Sequence, residues 1–89
     1  MLSHASERSL SRMGRSVEQR HLCELRFRIT KRPGQLAWYV KQGTNGCEKW
    51  VVKYEEEFWY LVFDPRKKWI VTVLDRPTPN LLARLNLNH

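Results

Sequence analysis

Apolar residues are arranged along this chain in two different ways. Between residues 17 and 30, Val17, His21, Leu22, Leu25 and Ile29 return every three to four positions, the spacing of one helix face. Ser16 with Gln19 three residues later reads as a capping box, and Lys31-Arg32-Pro33-Gly34 reads as a stop. A shorter helix is predicted before it, over residues 4–13, with Ser3 as N-cap and Gly14 at its end. After Gly34 the helical period is lost. β-Branched and aromatic residues gather in four runs, which predict strands over 36–42, 48–54, 57–63 and 68–74. Gly43-Thr44-Asn45-Gly46, Glu55-Glu56-Glu57 and Asp64-Pro65-Arg66-Lys67 separate them as turns. Connections this short join antiparallel neighbours. The predicted fold is therefore α+β: two N-terminal helices, a four-stranded antiparallel β-meander, and a short C-terminal helix or tail over 75–89 carrying Leu81, Leu82 and Leu85. One sheet face is expected to pack on the helices and the other to stay at least partly open. The leucine tail could cover a sheet edge or dock on a second copy of the chain, as a homodimer.

Length confines this pattern to a single domain spanning residues 1–89, because a chain of this size buries only about 60–65% of its surface on folding. It excludes dinucleotide-binding folds, α/β barrels and two-domain enzymes. Charge adds a direction. Sixteen Lys and Arg against nine Asp and Glu give +7, which favours polyanionic partners. The balance is uneven: residues 1–33 hold eight basic and three acidic side chains, and residues 34–89 hold eight and six. Arginine dominates the first third, and its planar fork matches phosphate geometry. Cys23 and Cys47 are too few for a disulfide scaffold, and no Cys or His spacing suits zinc, so free thiols in a reducing compartment and no metal are expected. The opening residues lack an apolar signal-peptide region, and no stretch suits membrane spanning. A cytoplasmic location without membrane association is the expectation.

Three constellations could carry chemistry. His4, Arg8 and Arg12 fall at i, i+4 and i+8, one stripe of the first predicted helix. A histidine there can move a proton while the guanidiniums hold a phosphate and the charge developing on it. Arg15 extends the same basic segment. In the last strand, Thr72 is the one polar residue within Trp69–Leu74, with Arg76 close behind, and its hydroxyl could donate to a phosphate oxygen. Finally, Trp50, Tyr54, Trp59 and Tyr60 exceed what one buried face needs, and they interleave with Lys49, Lys53 and the Arg66-Lys67-Lys68 turn. Rings for bases beside cations for phosphates describe a single-strand nucleic-acid platform. Inward-facing carboxylates of the kind a metal-dependent nuclease uses cannot be assembled from the sequence.

The series His4-Ala5-x-x-Arg8-x-x-x-Arg12, a glycine, a second helix opened by Ser16, and a meander closing on Val71-Thr72-Val73 resembles the small barnase, colicin and RelE-like ribonuclease toxins. The resemblance implies a metal-independent, cofactor-free endoribonuclease that cleaves RNA by attack of the ribose 2′-hydroxyl on the adjacent phosphorus. It implies His4 as base or acid, Arg8 and Arg12 on the phosphate, Thr72 on another phosphate oxygen, and RNA stacked on Tyr54 or Trp50. Free RNA, transfer RNA or the ribosome would be the target, and a protein inhibitor or antitoxin a partner. Two other classes fit the residues. One is a non-catalytic nucleic-acid-binding or phage/host regulatory module that uses the same basic face, with Arg8 and Arg12, and the aromatic sheet with Lys53, Arg66, Lys67 and Arg76, without a proton-transfer pair. The other is a protein-interaction module built on exposed aromatics and the leucine tail.

Overall fold

The computed structural model describes residues 17–87. Helix α1 runs Gln19–Lys31 and buries His21, Leu22, Leu25 and Ile29, the stripe expected from the sequence. Its start lies two residues later than expected. Val17 is drawn into the core at 4% exposure, which keeps the chain extended through Glu18, the residue that becomes the N-cap. The capping is supplied by His21, whose Nδ1 accepts from the Glu18 backbone N–H at 2.9 Å. At the other end the Arg32 N–H reaches Arg28 O, and Pro33 and Gly34, with φ of 84°, turn the chain away. The helix expected over 4–13 lies outside the described residues. Among the described residues a single long helix precedes the sheet.

Strands β1 (Ala37–Gln42), β2 (Glu48–Tyr54), β3 (Glu57–Asp64) and β4 (Trp69–Val73) pair antiparallel in the order β1-β2-β3-β4, the expected meander. The β2–β3 link is a two-residue turn in which both Glu55 (φ 56°) and Glu56 (φ 61°) are left-handed. That conformation matches the strand twist but normally recruits Asn and Gly. It sets the register Val52↔Trp59 and Trp50↔Leu61, and so decides which side chains share a face.

The face toward α1 carries Ala37, Val52, Trp59, Leu61, Phe63, Ile70 and Val73, which join Leu22, Leu25, Ile29 and Val17 in the larger core. Trp59 is fully buried there, and its Nε1 donates to Tyr54 O at 3.0 Å, so the indole loses no hydrogen bond.

The opposite face has a core of its own. Val51, Phe58 and Leu87 are buried, with Trp38, Val40, Tyr60, Leu81, Leu82 and Leu85 packed around them. The tail after β4 therefore folds back across the sheet, making a third layer over a face expected to be at least partly open. Its short helix α2 (Pro79–Arg84) begins where Thr78 accepts from the Leu81 N–H at 3.2 Å, with Pro79 following. It ends in a Schellman motif: Asn86 is left-handed (φ 60°), the Leu87 N–H reaches Leu82 O, and the Asn86 N–H reaches Ala83 O. The physical reason for the cover is the alternation itself. Trp38, Val51 and Phe58 stand on the second face and need apolar company, which the tail leucines supply. The cover is partial. Lys41, Lys49, Val62 and Thr72, further along the same face, are exposed or half-buried.

Candidate nucleic-acid interface

The uncovered half of the second face is where the cations meet. A bulge at Val40 in β1 brings Lys41 directly opposite Lys49 of β2, and Val62↔Thr72 continues the row across β3 and β4. Like charges placed directly across a sheet destabilise it by about 0.2–1 kcal/mol. Neither ammonium has an ion-pair partner among the described residues. Two hollows flank the pair. Lys41 and Lys49 line one of about 360 Å³ under the Gly43–Thr44 turn. Lys41 also lines the second, about 420 Å³, between the sheet and the tail, together with Tyr60, Asp75, Arg76 and Arg84.

At the next step of the ladder Trp69 pairs with Asp64, and Lys67 Nζ stands 5.0 Å from the Trp69 ring centroid. Asp64 is buried at 6% exposure. Burial opposes its ionisation, but the Arg66 and Lys67 amides and the Arg66 guanidinium outweigh that and hold the carboxyl below its ordinary value. Its Oδ1 accepts from Arg66 N–H at 2.9 Å and Lys67 N–H at 3.3 Å, closing the β3–β4 turn. Arg66 is engaged further, donating from Nη2 to Asn45 O at 2.9 Å, so it joins two turns.

The residues singled out from the sequence divide between the two faces. His4, Arg8, Arg12 and Arg15 lie outside the described residues. Trp50 and Tyr54 stand on the α1 side, half-buried against the larger core, away from the lysine pair. The Tyr54 ring is covered by Arg28, whose Cζ is 5.0 Å from its centroid, and Trp50 Nε1 donates to Glu48 Oε1 at 2.9 Å. Lys53 is on the lysine-bearing face but at its tail-covered end, 5.9 Å from the centroid of Phe58. Arg76 reaches Glu57 at 3.4 Å and lines the larger hollow. Thr72 is on the lysine-bearing face, and its Oγ1 is buried without a hydrogen-bond partner among the described residues.

Sequence reasoning missed Lys41, Arg84 and the pocket role of Tyr60. Burial raises the Tyr60 phenol above its ordinary value, with Arg84 partly offsetting the rise. The signal for Arg84 was its place on the polar side of the leucine tail, which becomes informative only once the tail folds back. His21, the one histidine among the described residues, is 2% exposed and lies on the α1 side, with Nε2 at 3.7 Å from Glu55 Oε2. Among the described residues no group of three His, Cys, Asp or Glu is gathered as a metal site requires, and no helix is long and apolar enough to cross a membrane. Comparison with protein-family models, with characterised proteins and with solved structures found no match.

Proposed function

We propose that this domain binds single-stranded RNA along the sheet face that carries Lys41 and Lys49. The observation that carries this reading is the directly opposed lysine pair, without a counter-charge among the described residues. An anion between the two ammoniums turns a repulsion into two attractions. Arg84 and Lys67, on either side of the row, extend the positive surface over more than one phosphate, and Tyr60 and Trp69 offer ring faces beside it. A flexible single strand can follow such a short, curved track, and sequence-tolerant stacking on rings suits it. Cleavage of the bound RNA is a second step that this reading does not require. It rests on the His4, Arg8 and Arg12 motif, with His4 taking the 2′-hydroxyl proton and the arginines holding the phosphate.

A labelled single-stranded RNA oligomer, titrated by fluorescence anisotropy at several salt concentrations with chelator present, tests both steps. Lys41→Ala and Lys49→Ala should each weaken binding and reduce the slope of log affinity against log salt by about 0.7. Unchanged slopes in both variants would remove this face as the interface. Product ends in the same samples test cleavage: 2′,3′-cyclic phosphates that vanish with His4→Ala support it, and intact RNA leaves a binding module.

A further inference from the structure

The tail shapes a cleft as well as covering the sheet. The cleft of about 420 Å³ between β1 and β3 of the sheet, the residues after β4 and α2 has a size typical of small-molecule sites, about 300–1,000 Å³. Its surfaces differ in chemistry. Val40, Leu74 and Leu81 make an apolar lining beside the half-buried ring of Tyr60. Three cations line it: Arg76, which is paired with Glu57, and Lys41 and Arg84, neither of which is ion-paired among the described residues. Asp75 and Thr78 add a carboxylate and a hydroxyl.

This combination selects among ligands. A bare inorganic anion would gain from Lys41 and Arg84 but would leave the apolar lining wet. A purely apolar molecule would leave the cations unused. A ligand with one anionic group on a flat, largely apolar body that also carries hydrogen-bond donors satisfies every wall. We infer that this cleft takes one unstacked nucleotide, its base against Tyr60 and Leu81 and its phosphate between Lys41 and Arg84. The inference rests on the reading of the lysine-bearing face as an RNA surface and names the subsite where a base is held. Lys41 belongs to both hollows, so the strand can continue from the cleft toward Lys49 under the Gly43–Thr44 turn. The Tyr60 hydroxyl is a donor for a base carbonyl.

The test uses nuclear magnetic resonance of the full chain labelled with nitrogen-15. Uridine 5′-monophosphate and adenosine 5′-monophosphate are titrated separately, with uridine and inorganic phosphate as controls at constant ionic strength. The expected result is saturable shifts of the Tyr60, Leu74 and Leu81 amides with at least one monophosphate, at about tenfold higher affinity than with either control. Arg84→Ala should weaken this binding about tenfold, since it removes a charged hydrogen-bond donor from an exposed position where folding is not at stake. Tyr60→Phe should weaken it a few-fold while keeping the ring. The inference is overturned if inorganic phosphate binds as tightly as both nucleotides, if no monophosphate shifts these amides, or if Arg84→Ala changes nothing. RNA titrations of the Lys49→Ala variant separate the two readings. RNA binding that depends on Lys49 without any mononucleotide binding defeats the cleft alone. Mononucleotide binding at the cleft with RNA affinity indifferent to Lys49 defeats the extended surface alone.

Discussion

Glu55 and Glu56 occupy left-handed backbone that an L-residue with a long side chain enters only at a cost of about 1–2 kcal/mol. Glu56 is exposed, and glycine has no such penalty. Glu56→Gly should therefore raise unfolding free energy by about 1 kcal/mol in urea titrations, with the fold unchanged. Thr72 makes a second residue-level case. Its buried hydroxyl, without a partner among the described residues, is a desolvation cost with no hydrogen bond in return. Thr72→Val, which keeps the shape, should stabilise the protein by about 1 kcal/mol and leave RNA binding unaltered. Loss of RNA cleavage in a Thr72→Val protein that folds normally would instead return the hydroxyl to the role that the ribonuclease resemblance gave it. Asp64 predicts a pH effect whose sign follows from its lowered pKa. A carboxyl more acidic in the folded state stabilises above its unfolded value, near 3.8, and that contribution is lost as pH falls through the folded value. Asp64→Asn should flatten the acid limb of stability against pH below about 4, read by thermal melts at stepped pH.

At the scale of elements, the four short runs of β-branched and aromatic residues were enough to place every strand, because each turn between them contains Gly, Pro or a charged pair. The apolar stripe of α1 was equally legible. Its first residue was not, since Val17 is pulled into the core by tertiary packing and hands capping to His21, a residue that local rules do not rank as a cap partner. The site was harder to read for a related reason. Trp50 and Tyr54 share parity with Val52, and α1 takes that parity, so the two rings chosen as a base platform became flanking packing. Nothing local says which parity the helix will cover. The lysine pair depends on the Val40 bulge, which shifts register by one and brings Lys41 opposite Lys49. The tail carries its own instructions instead: Thr78, Pro79 and Asn86 fix both ends of α2. Asn86→Ala should cost about 1 kcal/mol because alanine resists the left-handed conformation, whereas Asn86→Gly should be neutral within error in the same unfolding measurement.

Over the whole molecule, a net charge of +7 attracts any polyanion, so affinity alone does not distinguish a binding site from a positive field. Geometry does. The field reaches about 8 Å at physiological salt, and the sheet separates the lysine-bearing face from the outer side of α1 by more than one layer of side chains. Two double reversals exploit this. Lys41→Glu with Lys49→Glu alters the open sheet face, and Arg26→Glu with Lys31→Glu alters exposed positions on α1. Each reversal removes two units of charge, so both proteins carry +3 in place of +7. A site on the sheet face predicts that the first protein loses at least about tenfold in RNA affinity at physiological salt, since two phosphate contacts become repulsions. The second should lose no more than about threefold, the residue of a screened field. Equal losses in the two proteins would mean that RNA responds to the charge of the molecule as a whole, and the opposed lysines would then be a tolerated repulsion rather than the seat of recognition.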